Sequence, residues 1–254
     1  MTELPELAGI ILPALLAGLL VLLTHVPLGR EVLARGIIFL DIAVAQIAAF
    51  GVLLAERLGL GGSDWQVQLM AAGSALAGAL ALQWTERHLS GVQEAVIGSV
   101  FVLAATAGLI LIAGDPHGAE HVTDLLSGQV LWAGQAQLLA LAAVSLPVAL
   151  VWLTAPQAWR RRLFYPLFAV TITASVQLVG VYLVFSSLIL PALAIRGLGR
   201  RALPAGWALG LTGYAAGLIL SALFDWPAGP VIVWSLALLA LPMILIQARA
   251  KRAG

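Results

Sequence analysis

The sequence DPHGAEHVTDLLSGQ, residues 115–129, places two histidines and three acids in an otherwise apolar chain. His117, Glu120 and His121 have the spacing H-x-x-E-H, which in one class of zinc proteases supplies two metal ligands and a general base from a single helix. Two imidazoles and a carboxylate form a sensible ligand set for Zn²⁺ and, less selectively, for Mn, Fe or Ni. These three residues are therefore candidates for metal binding.

A short helix would bring these side chains together. Asp115 is a typical helix N-cap, and Pro116 is a typical first helical residue. In a helix that begins there, Asp124 joins the face formed by the two histidines and the glutamate. This face could capture metal at the mouth of a pathway, hold hydrolytic zinc, or be the wet side of a loop helix. Hydrolysis needs a third ligand and a protected cleft, and no other cluster of histidines and acids is available to complete such a site.

The composition places these residues in a membrane protein. Of the 254 residues, 61% are hydrophobic and only 10% are charged. Apolar runs such as LLAGLLVLL lack the alternation of barrel strands, so an all-α, polytopic integral membrane protein is expected. The gaps between the apolar runs leave no room for a soluble domain, and residues 1–254 are interpreted as one transmembrane domain.

Seven apolar runs have about the length that a helix needs to cross a bilayer. An eighth stretch, residues 165–195, begins and ends beside arginines but is too short for two full crossings at about 1.5 Å per residue. It therefore predicts a broken or re-entrant segment, with Gly180 and Pro191 as the easiest break points, and seven to eight transmembrane helices in all. The seven runs are residues 7–26, 37–55, 65–84, 95–113, 130–153, 205–222 and 231–248.

The arginines and lysine indicate which loops face the cytoplasm, since basic residues accumulate on that side. The gaps between the basic clusters hold Asp64, the polar stretch 115–124 and Asp225, and these should face outward. This pattern predicts an outer N-terminus and an inner C-terminus. It also predicts that His25 and His88 are polar side chains near cytoplasmic helix ends. The clusters are Arg30 with Arg35, Arg87, Arg160 to Arg162, Arg196 with Arg200 and Arg201, and Arg249 with Lys251 and Arg252.

Missing residue types exclude several classes of protein. The chain has no cysteine, which rules out thiolate metal sites and disulfides. Its one lysine is Lys251 in the tail, so it has neither a nucleotide-binding P-loop nor a buried lysine for retinal. Any ATP must be used by a partner subunit, and neither a permanently bound cofactor nor a nucleic-acid partner is expected.

Polar residues inside the predicted helices are candidates for a transport pathway, because such residues are costly in lipid and usually functional. Asp41 is the one acid well placed inside a helix end, with Gln46 five residues later and Gln177 in the broken stretch. A proton-coupled secondary carrier usually needs more titratable groups. A secondary carrier is therefore disfavoured. Such a carrier would be distinguished by transport without an ATPase.

Several blocks of the chain resemble one family. The stretch VGVYLVFSSLILPALAI, residues 179–195, looks like the signature of the permease subunits of ABC-type zinc, manganese and iron uptake systems. Residues 225–233, DWPAGPVIV, are similar to the turn near the end of those permeases. Residues 93–112 and 124–131 resemble two further blocks, in the family's order.

The resemblance implies a homodimeric permease in a bacterial cytoplasmic membrane. It would import divalent metal, with zinc or manganese favoured. Its partners would be a cytoplasmic ATP-binding subunit, an extracytoplasmic metal-binding protein and membrane lipid. The segment 195–203, IRGLGRRAL, would couple the permease to the ATPase. The residues of this segment that carry the role are Arg196, Gly197, Gly199, Arg200 and Arg201.

This sequence departs from the family at two positions. Aligned on Gly51, the membrane histidine of the family falls on Gln46, and the acid of a later family motif falls on Gln129. Amides are poor ligands for a metal such as Zn²⁺. Either the ion is bound elsewhere, or Asp41 has taken over the role, or the cargo differs from the usual one.

Overall fold

The computed structural model describes residues 3–60, 63–113 and 126–252. Within these ranges the chain forms eight long α-helices and no β-strand. Single-turn 3₁₀ helices follow α3, precede α5 and precede α7, at Ser90–Val92, Val130–Trp132 and Gly199–Arg201. The helices are α1 (Glu3–Arg35), α2 (Leu40–Arg57), α3 (Asp64–His88), α4 (Gln93–Leu111), α5 (Gln135–Thr154), α6 (Gln157–Ala194), α7 (Ala202–Phe224) and α8 (Ala228–Arg252).

The helices confirm the predicted all-α, polytopic membrane architecture. Seven of those described are long and apolar enough to cross a bilayer. The eighth, α2, has 18 residues with Asp41 near its start and Glu56 and Arg57 at its end, and it packs between α3 and α4. The helices α1 and α6 are longer than the runs predicted for them, because the helix continues through Pro27 in α1 and through Pro166 in α6.

The helix α6 is broken at Gly180. Its 38 residues would extend about 57 Å if the helix were straight, which is far more than the bilayer's apolar thickness of about 30 Å. Gly180 has φ 79° and ψ 162°, a conformation that is essentially restricted to glycine. It divides α6 into a first arm, residues 157–179, and a second arm, residues 181–194. The predicted break is thus confirmed at Gly180.

The helix does not break at Pro191, the other expected position. Pro191 lies in the last turn of the second arm, and the amide of Ile195 donates to its carbonyl over 3.0 Å. A proline there removes one hydrogen bond next to the natural end of the helix, so the remaining turn is kept.

Both ends of α6 lie beside the last turns of α1. The guanidinium of Arg35 lies 4.2 Å from the ring centroid of Phe164, near the start of the first arm. Ala192 and Ile195, at the end of the second arm, line a groove together with Arg30 of α1. The two arms therefore run in opposite directions. The second arm spans only about 21 Å, so Gly180 lies within the thickness of the bilayer.

The segment before α5 fills the space beside the break. The amide of Gln129 donates to the carbonyl of Leu178 over 3.1 Å, which satisfies a carbonyl that the broken helix leaves free. Gly128 has φ 70°, and a Cβ on Gly180 would lie 2.4 Å from the Gly128 amide nitrogen. A Cβ on Gly229, at the start of α8, would lie 2.5 Å from the carbonyl oxygen of Ser127. The backbones of α6, of the segment before α5 and of α8 are therefore in direct contact here.

The basic clusters that the sequence assigns to one side gather at one end of the bundle. Arg35 donates to Glu31 over 2.9 Å and to Glu86 over 3.3 Å, which joins the end of α1 to the end of α3. Arg160 lines the same polar cavity as Arg35. We call this end of the bundle the basic end.

Candidate transport pathway

A cleft of about 710 Å³ opens between α2, α4, the second arm of α6 and α8. Its walls are mainly apolar. The polar side chains that line it are Gln46, Tyr182 and Ser186. The volume is typical of sites that take small molecules, and the cleft ends against Leu126, beside the helix break.

Gln46 and Asp41 are not on the same face of α2. Gln46 is half-buried and lines the cleft, whereas Asp41 is fully buried and does not line it. Five residues correspond to about 500° of helical rotation, which places the two side chains about 140° apart. The two predicted pathway residues are therefore separate features.

Asp41 is an unpaired buried acid. It lies in the first turn of α2, where the positive end of the helix dipole favours a carboxylate. Its carboxylate oxygens have no side-chain partner among the described residues, and only the backbone amides of Asp41 and Ile42 lie beside them. A buried acid normally has partners, so this side chain is available to bind a cation or a proton.

Gln129 and Gln177 lie close together at the helix break. The backbone amide of Gln129 donates to the backbone carbonyl of Leu178, which is the residue after Gln177. The side-chain oxygen of Gln177 accepts a hydrogen bond from the side-chain amide of Gln68 in α3, while its own buried amide nitrogen has no partner among the described residues. The structure therefore groups these two glutamines with each other.

The outer metal candidates, His117, Glu120, His121 and Asp124, lie outside the described residues. Within ranges 3–60, 63–113 and 126–252, no group of three or more histidines and acids is close enough to hold a metal ion. The described part of the chain thus offers amides and one isolated acid along the predicted route.

The predicted coupling segment forms an exposed connection at the basic end. Arg196, Gly197, Gly199, Arg200 and Arg201 are all exposed, and none of the three arginines forms an ion pair with a described residue. Gly197 has φ 96° and Gly199 has φ 55°, which explains why glycine is needed in so tight a turn.

Both ends of this connection are held in place. Ile195 is 1% exposed, and Ala202 is buried at the start of α7. Between them the chain presents charged side chains on a short, fixed loop. The arrangement is suited to docking against another protein, because rigid presentation lowers the entropy lost on binding.

The sequence pattern of one transport family covers nearly the whole chain, matching residues 8–161 and 155–247. The chain belongs to the ABC 3 transport family. Membership of ABC 3 confirms the resemblance seen in the sequence and makes the chain a multi-pass membrane subunit of a transporter, not an enzyme. No curated protein matches the chain.

Two solved structures share the fold of this ABC 3 protein. The first is PsaBC from Streptococcus pneumoniae in complex with Fab, with a TM-score of 0.72 and 20% identity over 91% of this chain and 89% of that one. The second is described as an inward-facing conformation of a metal-chelate type ABC transporter, a type assigned to it only provisionally, with a TM-score of 0.61 and 19% identity over 94% of this chain and 85% of that one. At these identities the likeness shows the fold alone.

His25 is a buried residue of this ABC 3 chain that the sequence analysis placed wrongly. It was expected at a cytoplasmic interface, but it is 0% exposed inside α1 because that helix continues to Arg35. Its Nδ1 lies 2.8 Å from the carbonyl oxygen of Val21, and its Nε2 has no partner within the part of the chain that the structure describes. The available signal was the run LLTHVPL, in which Thr24 is the one polar residue besides His25.

Proposed function

We propose that this chain is the permease subunit of an importer of divalent transition metal ions, with zinc or manganese as the cargo. The match to the ABC 3 transport family along nearly the whole chain carries this proposal. The description of one structural neighbour as a metal-chelate type ABC transporter supports the metal cargo. The chain would lie in a bacterial cytoplasmic membrane, with the basic end inside, the N-terminus outside and the C-terminus inside.

Energy would come from a separate cytoplasmic ATPase. The chain has no P-loop, and its basic connection, which is exposed at residues 196–201, lies at the end assigned to the cytoplasm. Arg196, Arg200 and Arg201 would pair with acids of the ATPase. The buried flanks of the connection would pass the movement of the ATPase to the second arm of α6 and to α7.

Two copies of the chain would enclose the pathway. The cleft between α2, α4, α6 and α8 opens to the side, and Tyr182, Leu109 and Trp234 on its rim are more than half exposed. A partner copy would cover these apolar side chains and place a second Gln46 opposite the first. A metal-binding protein would deliver the cargo at the outer end, near residues 117–124.

Dependence on ATP separates this proposal from a secondary carrier. Vesicles that contain the permease, with the ATPase facing the lumen and the metal-binding protein outside, should accumulate metal only when ATP is enclosed in the lumen. An ATPase with an inactivated P-loop is the control, and it should give no accumulation. Equal accumulation by the permease alone, driven by a proton gradient, would contradict the proposal.

The outer histidines are expected to take part in metal capture. Substitution His117→Ala with His121→Ala should lower uptake of the cargo metal by about tenfold, since two imidazole ligands are removed. Membrane content of the permease and ATPase binding should stay unchanged. Undiminished uptake at limiting metal concentration would make this stretch an ordinary wet loop.

Asp41 is expected to affect transport from beside the cleft, because its buried carboxylate does not line the cleft but can bind a cation or a proton. The substitution Asp41→Asn keeps the shape of the side chain but removes its charge, and uptake should fall by about tenfold or more. Thermal stability should be unchanged or higher, because an unpaired carboxylate no longer has to be buried.

Asp225→Asn is the matched control for Asp41→Asn. Asp225 is exposed and has φ 53°, a left-handed conformation that asparagine also adopts readily. Uptake should be unaffected in this control. Normal uptake in Asp41→Asn as well would show that Asp41 has no role in transport.

A further inference from the structure

A polar cavity of about 770 Å³ lies at the basic end between α1, α3, α5 and α6. Its lining brings together five arginines and only two glutamates, Glu31 and Glu86. The arginines come from three different helices, so the fold concentrates them where sequence spacing would not. They are Arg30, Arg35, Arg87, Arg160 and Arg161.

The positive charge of this cavity is largely unneutralised. Arg35 forms an ion pair with each of the two glutamates, at 2.9 Å from Glu31 and 3.3 Å from Glu86. The other four arginines form no ion pair with a described residue. The Nε of Arg160 is buried and has no hydrogen-bond partner among the described residues. A buried guanidinium nitrogen without a partner indicates an acceptor that the protein itself does not supply.

One wall of the cavity continues into an apolar surface. Leu153 of α5 lines the cavity and is 45% exposed. Leu150 and Leu146 are more than half exposed and lie on the same face of α5, about one and two turns from Leu153 respectively. In a membrane protein this stripe faces acyl chains. The cavity is therefore open to the bilayer along α5 as well as to water.

We propose that this cavity binds the phosphate of an anionic phospholipid, with the acyl chains along the leucine stripe of α5. Guanidinium groups bind phosphate oxygens through paired hydrogen bonds, and basic pockets between membrane helices bind such head groups. The stripe favours a lipid over a soluble anion, because it offers a place for the acyl chains beside the arginines. Arg30 also lines the groove beside Arg196 and Gly197, so a bound lipid would lie next to the coupling connection.

The test uses the permease in complex with its ATPase, in phosphatidylcholine nanodiscs with and without phosphatidylglycerol. Lipid retained after extraction is counted by native mass spectrometry. Substitution Arg160→Gln with Arg161→Gln should lower retention of phosphatidylglycerol by roughly twentyfold, since each arginine near anionic lipid contributes about fivefold. Arg160→Lys with Arg161→Lys keeps the charge but loses the paired hydrogen bonds, so its retention should lie between that of the glutamine variant and that of the wild type, and retention above the glutamine variant guards against a folding defect. Arg249→Gln with Arg252→Gln removes the same charge from the tail and should change retention by less than about twofold.

The outcomes separate the lipid from other occupants. Selective retention of phosphatidylglycerol that is lost only in the Arg160 and Arg161 glutamine variant supports the proposal. Equal loss of phosphatidylglycerol retention in the tail variant would show that the arginines attract anionic lipid only through general surface charge, and this would overturn the proposal. Stabilisation by inorganic phosphate as strong as by phosphatidylglycerol would assign the cavity to a soluble anion. Loss of ATPase binding with unchanged lipid retention would assign it to the ATPase interface.

Discussion

Replacing Gly180 by alanine is expected to destabilise the fold and to abolish transport. The residue has φ 79°, and its new Cβ would lie 2.4 Å from the Gly128 nitrogen and 2.5 Å from the Ser127 carbonyl carbon. These are backbone atoms of a segment that is itself held against the break. Backbone strain of this kind costs about 1–3 kcal/mol before any clash is counted. Thermal unfolding of the purified permease should shift down by roughly 5–10 °C.

The control for Gly180→Ala is Gly98→Ala in α4. A Cβ on Gly98 meets nothing within 4 Å, and alanine is the better helix former. This variant should be as stable as the wild type or slightly more stable. A Gly180→Ala protein with normal stability and normal uptake would show that the arms of α6 do not need the observed break.

Reversing two charges in the coupling connection is expected to uncouple the permease from its ATPase. Arg200→Glu with Arg201→Glu should lower both ATPase binding and metal uptake by at least about tenfold, or 1.4 kcal/mol, because charge pairs across the interface become repulsive. Both side chains are exposed and form no ion pair within the described chain, so the fold should be unaffected. Co-purification of the two subunits measures the effect directly.

The tail provides the comparison for this variant. Arg249→Glu with Arg252→Glu changes the net charge equally at the same end of the bundle but outside the connection. ATPase binding should remain near the wild-type level. Equal loss in both variants would mean that the ATPase senses overall charge, and unchanged binding in both would place the coupling elsewhere.

The helices could be predicted from the sequence because their apolar character is a local property. The break could also be predicted, since about 30 residues with arginines at both ends leave no other solution. Its surroundings could not be predicted. Residues 130–134 continue an apolar run and were assigned to a helix, yet they form a 3₁₀ turn and a short connection beside the broken helix. Contact between Gly128 and Gly180 joins positions that are 52 residues apart, and hydrophobicity carries no information about such pairs.

The pathway was harder to predict than the helices, because it also depends on contacts between residues that are distant in the sequence. Composition identified Asp41 and Gln46 as polar residues within a helix, but only packing distinguishes the side that faces the cleft from the side that faces other helices. Gln46 lines the cleft and Asp41 does not. The five arginines of the lipid cavity were each recognised as basic-end residues. Their convergence depends on how α1, α3 and α6 pack.

Metal uptake tests the central claim most directly. Cells that carry the permease with its cognate ATPase and binding protein are supplied with zinc, manganese, iron or nickel, and the accumulated metal is measured. Zinc or manganese is expected to accumulate in the wild type and not in Arg200→Glu with Arg201→Glu. If none of the four metals accumulates while the complex assembles and hydrolyses ATP, the chain is a permease for a different cargo and the proposed metal route is wrong.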